Sequence, residues 1–401
     1  MKIINIKQLT ILLALMLLPF SKVVANSQQH FEKANTLARE GKLQEAIDSY
    51  DLAIKYQHDF AEAYTNKGVT LNELGKWQEA IDSYDLAIKY QPDLAEAYNN
   101  KGIALCMLGK YHEAVDSYDL TIKHKPDYAN AYNHKGAVLN NLGKYQEAIT
   151  TFDLAIKYKP DCAEAYHNKG IALGQLGKLQ EAIIAYDLAI KHKPDYANAY
   201  NHKGAVLNNL GKYHEAIDSH DLAIKYKPDI ADAYYNKGNS LLKLVKYQEA
   251  IIAYDLAIKH KPDYAEAYNN KGAALKKLSK YQEAINSYDL AIKYKSDYEQ
   301  AYYNKGEALE KLSKYQEAIN SYDLAIKYKP DCAAFYNNKS FALGKLSKWY
   351  EVIVSCDLAI KYKPDCAEAY HNKGVALDEL GKYSQAKEAF SKAEQLRTKP
   401  N

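Results

Sequence analysis

Ten side chains spaced 34 positions apart present hydrogen-bonding groups of nearly one kind: Asn66, Asn100, His134, Asn168, His202, Asn236, Asn270, Asn304, Asn338 and Asn372. An asparagine amide donates and accepts at once, so a row of them can pair with the N–H and C=O groups of an extended peptide whatever its side chains. The same residue also serves as a plain soluble repeat residue that bonds a neighbouring helix, and both readings stand at this point. A second row, Lys243, Lys277, Lys311 and Lys345, takes the place of Glu73, Met107, Asn141, Gln175 and Asn209 in earlier copies. Cations at that interval suit a ligand with an acidic segment, although lysine at a helix C-terminus also satisfies the helix dipole. His134, His167 and His202 invite a metal reading, but one copy apart they cannot share an ion whose nitrogen ligands lie about 2 Å away. Cys106, Cys162, Cys332, Cys356 and Cys366 match neither a zinc pattern nor a disulfide framework. No paired carboxylates, phosphate-binding glycine loop or nucleophile with a base stands outside the positions the repeat dictates, so no enzyme activity, metal or cofactor is expected.

The elements that must position these rows are set by the repeat itself. Eleven copies of 34 residues begin at Ser27, Ala61, Ala95, Ala129, Ala163, Ala197, Ala231, Ala265, Glu299, Ala333 and Ala367 and fill positions 27–400 as one array. In the copy from Ala61 to Leu94, Tyr64, Gly68 and Leu71 share one helical face. After Gly75, a residue suited to a left-handed helix end, a second apolar series follows: Trp77, Ala80, Ile81, Tyr84, Ala87 and Ile88. Each copy therefore reads as helix, tight turn, helix, with Gly68 and Ala80 small where the pair must approach closely. Asp93/Glu96, Asp161/Glu164, Asp263/Glu266 and Asp365/Glu368 have the spacing of capping boxes for the next helix. Copies seven to ten have Val245, Ser279, Ser313 and Ser347 at the turn glycine, so strained or differently shaped turns are expected there.

Tyr64, Gly68, Leu71, Trp77, Ala80, Tyr84, Ala87 and Pro92 stand where the tetratricopeptide repeat has its signature residues, and the chain resembles that family over all eleven copies. The resemblance implies an all-α fold, a right-handed superhelical solenoid of helix-turn-helix repeats whose first helices line a concave groove that takes peptide or protein partners. It also places the asparagine row on that groove, similar to the asparagine ladder of the glycosyltransferase that attaches N-acetylglucosamine to serine and threonine. A carboxylate clamp does not suit Glu62, Glu96, Asn130 and Glu164. The departures are lysine for the family's leucine, as in Lys67, Lys101 and Lys135, which reads as tolerated because the stem can lie on the packed surface. The first copy has Ala34 and His58 at the glycine and proline slots, and the last has Lys387 and Glu394 for the recurring isoleucines, as an end cap would.

Ahead of the array, Lys2 and Lys7 precede an apolar run from Leu9 to Phe20 and the small residues to Ala25, so residues 1–25 are expected to be a signal peptide. About twelve apolar residues fall short of the roughly 20 that span a bilayer, so no membrane span is expected after cleavage. The address implied is export, periplasmic or secreted. Cleavage removes three lysines and no acid from the chain's 53 bases and 50 acids, leaving the two in balance. With arginine only at Arg39 and Arg397, nucleic acid is a poor partner. The expected function is a non-catalytic scaffold or adaptor; the alternatives are a periplasmic or envelope assembly factor, or the substrate-recognition array of an enzyme complex.

Overall fold

The computed structural model describes residues 6–398, with side chains described from residue 23 onward. Among the described residues every regular element is α-helix, and helices alternate in length as the repeat requires: 13 residues in Ala61–Glu73, then 14 in Trp77–Tyr90, and so on. The chain divides into two compact units, 1–194 and 195–401, the first with five helical hairpins and the second with six.

Packing within a hairpin follows from one close approach. A Cβ built on Gly68 would lie 2.5 Å from Cε1 of Tyr84, and the same glycine–ring contact recurs at Gly102, Gly136, Gly170, Gly238, Gly272 and Gly306. Any side chain there would push the two helices apart, while the fully buried tyrosine supplies the area. The tenth repeat changes both partners together, with Ser340 on one helix and the smaller Cys356 buried opposite.

The turns follow the glycine pattern even where glycine is lost. Gly75, Gly109 and Gly143 have φ of 73°, and Val245, Ser279, Ser313 and Ser347 keep that left-handed geometry at φ of 64°, 59°, 59° and 57°. The shape of these turns is therefore unchanged and the substitution appears as strain, greatest for the β-branched valine. The capping boxes are corrected by one residue. The first helices take Leu94, Cys162, Tyr264 and Cys366 as N-caps, none with a side-chain cap bond, because Asp93 and its equivalents sit one position earlier in the turn.

Hairpins are joined by two means. In both units, consecutive first helices touch one another while consecutive second helices do not, which puts the first helices on the inside of each stack's curvature. The lysine at the family's leucine slot does more than tolerate its place. Lys67 Nζ lies 2.6 Å from Asp51 Oδ1 on the preceding second helix. Lys169–Asp153, Lys237–Asp221, Lys271–Asp255, Lys305–Asp289 and Lys373–Asp357 repeat this 2.6 Å stitch. Each exposed pair contributes about 0.2–1 kcal/mol, and the series ties hairpin to hairpin.

At the ends, Lys387 and Glu394 are exposed where Ile81 is buried. The first helix runs Ile6–Arg39 through the expected cleavage point, and Ser27 is fully buried with its hydroxyl donating to the Ala53 carbonyl at 2.9 Å. Lys2, in the expected signal segment, lies outside the described residues, as do the side chains of Lys7 and of the run from Leu9 to Phe20. Among the described residues, no helix is long and apolar enough to cross a membrane.

Candidate functional site

The asparagine row lies between consecutive first helices. Amide nitrogens donate back one repeat: Asn168 to Asn133 Oδ1 at 3.2 Å, Asn236 to Asn201 at 3.2 Å, Asn304 to Asn269 at 2.9 Å and Asn372 to Asn337 at 3.2 Å. Asn66 donates to Asn35 at 3.0 Å, Asn338 to the Tyr303 hydroxyl at 2.9 Å, and Asn270 to Asn239 at 2.9 Å and Tyr235 at 3.2 Å. His134 fits the same scheme, since its Nδ1 lies 3.2 Å from Asn99 Oδ1, an acceptor, so that nitrogen carries the proton. Burial holds the His134 and His202 rings below the ordinary imidazole range, so they stay neutral. A donor at this slot is what asparagine and neutral histidine share.

The oxygens divide in two. Asn100, Asn270 and Asn338 accept from Asn99, Asn269 and Asn337 beside them, and Asn304 accepts from Gln300. Among the described residues, the side-chain oxygens of Asn66, Asn168, Asn236 and Asn372 take no donor from within their own unit. The inter-repeat bond was open to sequence reasoning only as one of two uses for the slot. Its partner lies 35 residues back, or 31 as for Asn66 with Asn35, and the helix crossing decides which side chain that is.

Lys243, Lys277, Lys311 and Lys345 are each the last residue of a first helix in the second unit, and all four are exposed. Two other recurring lysine rows are ion-paired, at the stitch above and along the turn as in Lys246–Glu249 at 3.4 Å and Lys280–Glu283 at 3.5 Å, while a third, at the end of the second helices, lies over the adjacent tyrosine ring, as Lys293 does over Tyr294. The four in this row form no ion pair among the described residues. Nearby, Lys276 pairs with Glu307 at 2.6 Å, and Glu310, accepting from the Tyr322 hydroxyl at 2.9 Å, is pushed up to about 7 by burial, with Glu307 adding to the rise.

Between the tenth and eleventh repeats the same face holds an open cleft of roughly 270 Å³, walled by Phe341, Trp349, Val352 and Val375, with Gly344 at its base and Lys345 on its rim. Sequence reading missed it, because its lining comes from slots that are unremarkable one at a time. His134 and His167 each engage a neighbouring ring or amide, and among the described residues no three metal-binding side chains converge. All five cysteines are free thiols.

Models described as TPR repeat match residues 34–75 and 70–109. Models described as Tetratricopeptide repeat match 99–159, 138–197, 167–225, 231–264, 253–286, 299–332 and 367–400. No curated protein matches the sequence. Among solved structures, a tetratricopeptide repeat protein from Parabacteroides merdae is 18% identical, with 63% of this chain and 99% of that one covered at a TM-score of 0.51. The Cut9–Hcn1 hetero-tetramer of APC/C is 14% identical, covering 88% of this chain and 76% of that one at a TM-score of 0.50. Both are similar in fold. The glycine–ring contact, the left-handed turn and the matched residues along most of the array together make this chain a member of the tetratricopeptide repeat family.

Proposed function

We propose that the chain is a non-catalytic scaffold, exported from the cytoplasm, that holds an extended acid-bearing segment of a protein partner along the face of its first helices. The observation that carries this reading is the row of four exposed lysines without ion pairs, each ending a first helix seven residues after a ladder asparagine and so on the same helical face. Carboxylates one hairpin apart would meet Lys243, Lys277, Lys311 and Lys345 in turn. The unoccupied oxygens of Asn236 and Asn372 would accept backbone N–H groups of the same segment. Nucleic acid, with its run of phosphates, does not suit so balanced a chain.

The test is the affinity of a fluorescein-labelled peptide of alternating aspartate and glycine, measured across a salt series. Exposed charge pairs contribute about 0.2–1 kcal/mol each, so reversing all four lysines to glutamate is expected to weaken binding at least tenfold while leaving the melting temperature nearly unchanged. Binding by the parent should also weaken as salt rises. Equal affinity and equal salt dependence in the two proteins would refute the reading.

A further inference from the structure

We infer that the cleft between the tenth and eleventh repeats seats one large apolar side chain, aromatic or long aliphatic, from that acid-bearing segment, so that the partner carries such a residue next to carboxylates. The inference rests on the scaffold reading above and adds what the partner must contain.

The tenth repeat departs from its neighbours at several slots, and the departures converge. Phe341 stands where the flanking repeats have Glu307 and Val375, and Val352 where they have Ala318 and Ala386. Trp349 takes a slot held by Tyr315 and Tyr383, and Gly344 one held by Glu310 and Asp378. A Cβ on Gly344 would lie 3.7 Å from Cζ3 of Trp349 and 3.9 Å from Cγ2 of Val352, so the missing side chain opens space beside the partly buried Trp349 ring, with the buried Val352 beneath it. Gly174, at the same slot of the fifth repeat, has nothing within 4 Å, so glycine alone does not make the cleft. Phe341 is 44% exposed and Val375 36%, so the two present apolar surface at the cleft.

Size and charge select the occupant. At roughly 270 Å³ the cleft lies below the ~300–1,000 Å³ of pockets that bury a whole small molecule, so it suits one side chain. The Lys345 ammonium sits on the rim, 5.2 Å from the centre of the Phe341 ring, without an ion pair. Lys311 ends the first helix of the repeat before. A residue that drops its apolar group between Phe341, Trp349 and Val375 therefore places its neighbours beside cations, and acidic neighbours fit.

The chain has two tryptophans, so Trp77→Tyr, which installs the residue found at Tyr111 and Tyr145, leaves Trp349 as the sole tryptophan, excited at a wavelength that tyrosine does not absorb. Two synthetic peptides would be titrated, an acidic pentapeptide with central phenylalanine and the same peptide with central alanine. The phenylalanine peptide is expected to bind about tenfold tighter and to move Trp349 emission to the blue. Gly344→Leu, a helix-favouring change whose side chain fills the cleft, should remove that advantage while keeping the affinity and salt dependence of the alanine peptide. Equal binding of the two peptides by the parent, or an unchanged advantage in Gly344→Leu, would overturn the cleft assignment. Salt-sensitive binding in that case would leave the scaffold reading in place; no binding of either peptide would overturn both. Emission that shifts with protein concentration alone would mean a second copy fills the cleft, and would also overturn it.

Discussion

Replacing His220 by phenylalanine is expected to stabilise the second unit, and by more at pH 5 than at pH 8. His220 is fully buried against Gly204, and neither ring nitrogen has a hydrogen-bond partner. The chain contains its own control, because residues 122–145 and 190–213 are identical, and over the earlier copy of that helix sits Phe152, also fully buried. Leaving a buried polar group unpaired costs about 1–3 kcal/mol, which phenylalanine avoids at any pH. Burial also pushes the His220 imidazole down to about 3 from an ordinary 6.5, with the Lys237 charge adding to the fall. The unfolded chain therefore takes up a proton that the folded chain refuses. This site's stability is fully present above pH 6.5 and is lost as pH falls towards 3, by about 2 kcal/mol at pH 5. Phenylalanine does not titrate, so the variant's advantage should grow by about that amount between pH 8 and pH 5. A repeat array does not unfold in one step, so the assay is hydrogen exchange in Ala197–Asn209 and Tyr213–Tyr226, supported by urea midpoints. Unchanged or lower protection at both pH values, or a gain of the same size at both, would refute the reasoning.

Three further outcomes can be measured. Val245→Gly should raise protection in the seventh repeat by about 0.5–1 kcal/mol, the left-handed penalty less the entropy of glycine, since Val245 is 64% exposed and loses no packing; a drop in stability would mean that the turn is unstrained. Ser279, Ser313 and Ser347 changed together to glycine should act in the same direction, read as a higher urea midpoint. Changing Asn236, Asn270 and Asn304 together to alanine should cost about 1.5–4.5 kcal/mol across repeats six to nine, since each donates to the repeat before; unaltered exchange there would show that these bonds do not hold the stack.

The hairpin was legible in the sequence because it rests on contacts inside one repeat. Gly68 against Tyr84 and Gly75 at the turn each recur at a fixed interval, and each has a single steric explanation. Bonds between repeats were harder to read. Lys67 looked tolerable because a lysine stem can lie on an apolar surface, yet the signal for its stitch was present in the aspartate 16 residues before it, repeated along the array. Asp93 and Glu96 have the right spacing for a capping box, but the turn places Leu94 at the cap, and an error of one residue removes the bond. The cleft was the least legible, since Phe341, Gly344, Trp349 and Val352 become one surface only when the two helices of the tenth repeat are folded together.

In the proposed scaffold the two rows on the first helices would divide the work of recognition, and the division bears on what kind of partner fits. Had every ladder amide faced the ligand, any extended chain would find donors and acceptors in register, and the scaffold would be indifferent to sequence. The amide nitrogens instead join one repeat to the next, and the oxygens of Asn100, Asn270, Asn304 and Asn338 are engaged as well. Contacts of the proposed segment with its backbone are then few and widely spaced, and on their own too weak to hold it. On the proposed reading, discrimination would fall to Lys243, Lys277, Lys311 and Lys345 and to the cleft beside the last of them, which would respond to charge and to one apolar side chain. The same internal bonds keep neighbouring first helices in register before anything binds, so the spacing of those lysines is fixed in advance and little ordering remains to oppose association. A scaffold of this design should choose its partner by the interval between acidic residues. Inserting two glycines between the carboxylates of the test peptide should therefore weaken binding more than removing one of them, and the reverse order would show that net charge alone is read.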